Sequence, residues 1–183
     1  MGISNFVANI LMMLKSEKKV SELADLLNHG NNPGILEAIE KLRLEQPFAG
    51  AIALFTSFYD KTDNSTLKKT IAGFMNDLKD QSVCAEVITE IRKPWKPDTI
   101  SMLVSSCWQS GLNYSDYLAD MAKVFLKGDF VTALECFTVI EESVDELSKV
   151  GKDKIIKILE ESPVSTANEK KALTLELIAI LKR

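Results

Sequence analysis

An all-α chain is predicted by three observations. Apolar residues recur at helical spacing almost from end to end. Glycine and proline are scarce, 8 and 5 in 183 residues, and most of them stand where that spacing breaks. No stretch alternates apolar and polar residues as a half-buried strand would. Hydrophobic residues make up 46% of the chain, enough for a sizeable core and too many for a disordered polymer. The length suits one all-helical domain over 1–183. Within it, 1–62 are N-terminal helices, 63–142 hold the clearest repeat-like units, and 143–183 are C-terminal helices.

Each element follows from its residues. Ile3, Phe6, Val7, Ile10, Leu11 and Leu14 share one helix face, and a second short helix is expected from Val20 to Leu27. Asn28 to Gly34 reads as a break, with glycine and asparagine to end one helix and Pro33 to start another. Ile35, Leu36, Ile39 and Leu42 make the next stripe. Phe48 to Tyr59 is apolar nearly all round and predicts a central buried helix. After a polar turn at Asp60 to Asn64, Leu67, Ile71, Phe74, Met75 and Leu78 form another stripe. Ser82 is an N-cap candidate for the helix of Val83, Val87, Ile88 and Ile91.

Pro94 and Pro97 must interrupt the chain at 93–97, because each removes a backbone donor and turns the preceding residue away from α. Asp98 or Thr99 can open the next helix, which carries Ile100, Leu103, Val104, Cys107 and Trp108 and stops at Gly111. Ser115 is the N-cap candidate for Tyr117 to Leu126, and Lys127-Gly128-Asp129 is a tight turn into the helix of Val131 to Ile140. The last third is expected to break near Gly151 and again at Ser162-Pro163. A final helix holds Leu173, Leu177, Ile178 and Leu181, apolar enough to cap the fold or to self-associate.

Charge and motifs narrow the function. The net charge is -4, and the segment from Lys93 to Ser148 has four lysines against nine acids. From Lys149 to Arg183 eight basic residues meet five acidic ones, interleaved as on a solvated helix face. A nucleic-acid partner is therefore not expected. Cys84, Cys107 and Cys136 are odd in number, widely spaced and set in apolar stretches. They read as small buried hydrophobes with reduced thiols, which points to a cytoplasmic protein. No apolar run approaches the ~18 residues of a membrane span, and the N-terminal stretch lacks the basic region of a secretory signal. The Met-Gly start lacks the Ser or Thr of a myristoylation signal, since Phe6 stands there.

No catalytic, cofactor or metal-binding motif is found: neither phosphate-binding glycine pattern, no GxSxG and no EF-hand loop. The single histidine, His29, sits in a loop break. Glu141, Glu142, Asp145 and Glu146 are clustered carboxylates, placed as acids that favour a helix dipole. Arg92, Lys93, Trp95 and Lys96 form the one basic–aromatic cluster. With Tyr114 and Tyr117 they are candidate partner-binding residues, because Trp, Tyr and Arg are favoured at binding hot spots. Trp108 belongs to the same aromatic set. The plain structural alternative is that Trp95 fills a gap between helices.

Internal similarity suggests a repeat. Ile71 to Met75 resembles Leu118 to Ala122, 47 residues later, and Val83, Ala85 and Ile91 match Val131, Ala133 and Val139 at 48. Phe74 to Val83 resembles the first-helix end, Asp-containing turn and second-helix valine of a HEAT unit. The chain thus resembles HEAT/armadillo-like helical repeat proteins over Leu67 to Glu142, with two departures: Glu86 stands where the second helix usually has a basic residue, and the first-helix proline is absent. The resemblance implies a short right-handed helical-repeat stack, an alpha-alpha superhelix, whose concave face binds proteins or peptides. An irregular helical bundle is the alternative. The function expected is a non-catalytic protein-protein interaction or adaptor module with a protein partner and no cofactor. The alternatives are a nucleic-acid-binding HEAT-like repeat, such as the base-excision glycosylases of that build, and an enzyme using Asp145 or Glu146.

Overall fold

The computed structural model describes the backbone of residues 2–45, 47–161 and 168–183, with side chains from 16 onward apart from 168. Among the described residues there are ten α-helices and no strand. They are α1 (Gly2–His29), α2 (Asn32–Leu44), α3 (Ala51–Lys61), α4 (Ser65–Asn76) and α5 (Cys84–Ile91), followed by α6 (Pro97–Gln109), α7 (Leu118–Lys127), α8 (Phe130–Ser143), α9 (Lys149–Glu160) and α10 (Asn168–Leu181). Short 3-10 turns precede α5 and α7 and follow α8. The chain is all-α, as the periodicity predicts.

Local chemistry sets most boundaries. Pro33 and Pro97 stand at the starts of α2 and α6, where a missing N–H costs nothing. Asn31, Asn64, Asp129 and Ser148 each accept a hydrogen bond from a first-turn amide of the helix that follows. Several expectations are corrected. Residues 3–27 form one helix, not two, because Lys15 to Lys19 contains no Gly or Pro and Lys18 pairs with Glu22 one turn on. Gly151 does not break the chain; it lies in the first turn of α9, its amide bound to Ser148 Oγ. The caps expected at Ser82 and Ser115 lie two residues upstream, where Asp80 and Asn113 accept the serine amides. The expected break at Ser162-Pro163 falls outside the described residues.

Alternate helices pack on each other. The even-numbered helices form one contact series, α2 on α4, α4 on α6, α6 on α8 and α8 on α10. Among the odd-numbered ones, α1 meets α3, α3 meets α5 and α7 meets α9. Helices α3, α5, α7 and α9 start at Ala51, Cys84, Leu118 and Lys149, in steps of 33, 34 and 31 residues. Helices α2, α4, α6 and α8 start at steps of 33, 32 and 33. Helix pairs therefore recur about every 33 residues, and the 47-residue similarity matches α4 with α7, an even helix with an odd one. Amphipathic helices with the same stripe resemble one another at any such offset, which is why the internal match misjudged the spacing.

One hydrophobic cluster runs from Leu23 through Ile52, Ile88, Leu103 and Phe125 to Leu181. Polar bonds near the surface tie successive turns: Arg43 to Asp77, Asn76 to Gln109, and Gln81 to Asn113, whose side chain in turn reaches Glu146. Phe48 to Tyr59 is less enclosed than its composition predicts. Ile52 and Phe55 are fully buried, while Phe58 and Tyr59 lie at the edge of the cluster.

Three helix ends are satisfied by side chains from distant helices. Gly50 precedes α3 with φ of 93° and has no side chain to cap it. The Glu86 carboxylate on α5 accepts from the amides of Gly50 and Ala53 instead, at 3.1 and 3.2 Å. An acid at this position is thus an inter-helix cap, at the end where the helix dipole favours it. Asp60 accepts from the Lys96 amide and the Thr99 hydroxyl at the start of α6. Lys170 on α10, only 9% exposed, donates to the carbonyls of Phe125, Leu126 and Gly128 at 3.0, 2.8 and 2.7 Å. It closes the C-terminus of α7, where a cation suits both the orphan carbonyls and the dipole.

An acid response follows from these bonds. The amide of Ser82 holds the Asp80 carboxyl below its ordinary range, Lys68 does so for Asp98, and the amide of Thr132 for Asp129. A carboxyl with a lower pKa in the fold than in the unfolded chain stabilises above the ordinary value of 3.8 and loses that contribution as the pH falls through its folded value. Urea midpoints are expected to drop as pH falls below about 4. Asp129→Asn keeps an acceptor but removes the titration, so it should flatten that drop; an unchanged slope would refute the assignment of Asp129.

Candidate functional site

The basic–aromatic cluster is assembled by the turn between α5 and α6. Arg92 and Lys93 follow the last turn of α5, and Pro94 and Pro97 force an extended path that presents Trp95. Trp95 is half-buried, packs against the main core and has its indole N–H buried without a hydrogen-bond partner. Lys93 lies 5.8 Å above the Trp95 ring centre and donates at 2.6 Å to Glu90, a buried carboxylate whose other oxygen is unpartnered. Trp95 therefore packs against the core, as the structural alternative expects, and also lines a groove.

That groove has a volume of about 500 Å³. One wall is Arg92, Lys93 and Trp95; the other is Asp120, Lys123 and Lys127 of α7, with Gly128 and Asp129 leading into α8 at its end. Arg92 binds Asp120 at 2.7 Å, and Lys123 approaches the same carboxylate at 3.7 Å. Burial raises the Asp120 carboxyl, but the Arg92 hydrogen bond and the charges of Arg92 and Lys123 outweigh it, so it titrates below the ordinary range. Lys127 is exposed and has no ion-pair partner among the described residues.

A second groove of about 640 Å³ crosses α4, α6 and α8, with Asn76, Met102, Ser105 and Val131 on its walls. Pro97 and Asp129 line both grooves, so the two meet there. Beside the junction, Phe130, Val131 and Leu134 of α8 are 46%, 57% and 46% exposed.

The candidate residues divide on the structure. Arg92, Lys93 and Trp95 line the first groove together. Lys96 turns away, its amide and ammonium bound to Asp60. Tyr114 is buried, with its hydroxyl unpartnered near the thiols of Cys84 and Cys107, so it belongs to the core. Burial and the neighbouring thiols push its ionisation well up. Tyr117 is half-buried, its ring centre 6.5 Å from that of Tyr114. Trp108 donates to Glu135 at 2.6 Å, tying α6 to α8. Lys123 and Lys127 were not singled out by the sequence, although their i, i+4 spacing on an amphipathic helix marks a shared exposed face.

The other polar features are local. His29 is exposed, its Nδ1 3.3 Å from the Asp25 carbonyl one turn earlier. Glu141 and Glu142 occupy the last turn of α8, where the dipole disfavours acids, so the expected dipole role does not hold for them. Among the described residues no group of three or more His, Cys, Asp or Glu is placed to hold a metal ion, and no helix is long and apolar enough to cross a membrane. All three cysteines are buried and unpaired.

Comparison with known proteins finds no matching family model, no matching curated protein and no matching solved structure.

Proposed function

We propose that the chain is a non-catalytic protein-binding module working in the cytoplasm, a short right-handed stack of helix pairs whose spacing of about 33 residues is shorter than that of a HEAT or armadillo unit. The observation that carries the reading is the groove in which Trp95 meets Arg92, Lys93, Lys123 and Lys127, with exposed apolar residues of α8 beside it. An aromatic anchor, an arginine and a charged rim over a firm helical base are the features of binding hot spots. The recurrence of helix pairs every 31 to 34 residues along α3 to α9 supports the stack. The buried, unpaired thiols support a reducing compartment. The final helix turns Leu177, Ile180 and Leu181 into the chain's own core, which favours capping over self-association.

Trp95→Ala tests the reading. A partner captured from cell lysate by the parent protein is expected to bind the variant about 30-fold more weakly, a loss of about 2 kcal/mol. Because Trp95 also packs on the core, Arg92→Ala, at an exposed site, serves as the second variant. Undiminished capture by both folded variants would remove this groove as the binding site. Partners lost on nuclease treatment would instead favour the nucleic-acid alternative.

A further inference from the structure

We infer that the groove is built for an acidic segment of a partner protein, one whose carboxylates are followed by an apolar residue. This inference rests on the protein-binding reading and names the chemistry of the partner. The distribution of lysines is the first argument. The segment from Lys93 to Ser148 holds four lysines and nine acids, yet three of those lysines, Lys93, Lys123 and Lys127, line this one groove together with Arg92. On the groove walls the four cations face Asp120 and Asp129, and Lys93 is also paired with the buried Glu90 at 2.6 Å, which leaves an excess of one positive charge. A net positive pocket inside a net negative stretch is complementary to carboxylates, and such complementarity selects partners and speeds encounter.

The second argument is which groups remain available. Asp129 already accepts the Thr132 amide at the start of α8, so the helix terminus is closed by its own cap and the side-chain cations must provide the attraction. Arg92 uses one terminal nitrogen on Asp120 and is 56% exposed, leaving guanidinium donors for a second carboxylate. Lys127 is unpaired among the described residues.

Direction comes from the second groove. At the shared residues Pro97 and Asp129 the wall changes character, from the cations of α7 to a lining without Lys or Arg, in which Ala72, Met102 and Val131 stand among Asn76, Ser105 and Gln109. The acids there are engaged: Asp98 binds Lys68 at 2.6 Å and Glu135 binds the Trp108 indole at 2.6 Å. A segment crossing the junction therefore meets cations first and apolar side chains second. Its acidic residues lie over Arg92, Lys123 and Lys127, and its apolar residue lies against Val131 and the neighbouring Phe130.

The test uses a short fluorescein-labelled peptide with a run of Glu and Asp followed by Leu, its counterpart with Lys in place of every acid, and a labelled single-stranded oligonucleotide of equal negative charge. Fluorescence anisotropy with the full chain is expected to show binding of the acidic peptide alone, weakening as salt rises because exposed charges are screened. The double variant Lys123→Gln, Lys127→Gln should weaken it about tenfold or more, while its thermal melt matches the parent, since both sites are exposed. Replacing the peptide's Leu by Ser should weaken binding further, as should Val131→Ser. Absence of acidic-peptide binding, indifference to the double variant, or equal affinity for the oligonucleotide would overturn the inference. If the acidic peptide fails while Trp95→Ala or Arg92→Ala still abolishes capture of a protein partner, only the acidic specificity falls and the binding-module reading stands.

Discussion

Lys170→Met is expected to destabilise the protein by about 2–3 kcal/mol and to lower its melting temperature by about 5–10 °C. Methionine keeps an unbranched stem of similar length, so most packing survives and the measured change isolates the ammonium. What is lost is a cap that the sequence around α7 does not supply. The carbonyls of Phe125, Leu126 and Gly128 all accept from Lys170 Nζ, and burial excludes water as a substitute donor. Burial also opposes the charge and pulls the Lys170 pKa below the ordinary lysine value, with Asp129 working against that shift. Part of the benefit of three charge-assisted bonds therefore offsets desolvation. The larger cost in the variant is the set of buried acceptors left unmade. The bonds also join α10 to α7, so hydrogen exchange in α10 should quicken more than in α3 or α4. A melting temperature within about 1 °C of the parent would refute the cap.

This cap also shows where sequence reading reaches its limit. Signals acting within a few residues were legible. Asn31 with Pro33, the prolines at 94 and 97, and Gly128-Asp129 mark helix ends because their backbone consequences are local. The stripes that define the core were legible for the same reason. The division of α1 was a misreading of composition. Lys15 to Lys19 interrupts the apolar stripe, but it holds good helix formers and nothing that stops a helix.

Caps made by Glu86, Asp60 and Lys170 depend on residues 33 to 45 positions from the groups they satisfy. No local pattern encodes them. Tyr114 shows the same limit at the site. A tyrosine in a Gly- and Asn-containing turn reads as a surface residue, yet it is buried beside Cys84 and Cys107. Lys123 and Lys127 read as the polar face of α7. Their meeting with Trp95 depends on how the α5–α6 turn lies against α7.

Phe55→Ala should have the largest effect on stability, a loss of about 3–5 kcal/mol. Phe55 is fully buried, and its ring lies 4.8 Å from that of Phe74, tilted at 59°, within the range of favourable aromatic pairs. The cost of truncation depends on how far the surroundings can close over the gap. Here α3 is held by α1, α4, α5 and α6, and its start is pinned by Glu86, so collapse is resisted from several sides and the upper part of the range is expected. Phe55→Leu retains most of the volume and should cost under about 2 kcal/mol. Leu44→Ala, at a side chain that is 91% exposed, should change the urea midpoint by less than about 0.5 kcal/mol equivalent. If Phe55→Ala matched the Leu44 control, the packing of α3 in the core would be wrong. The way the loss spreads then bears on the stack. In a linear array of helix pairs each unit touches only its neighbours, so the damage should be greatest in α1 to α6 and should fade toward α9. A bundle with a shared centre would lose protection evenly, and hydrogen exchange across α3 and α9 in the Phe55→Ala protein separates the two.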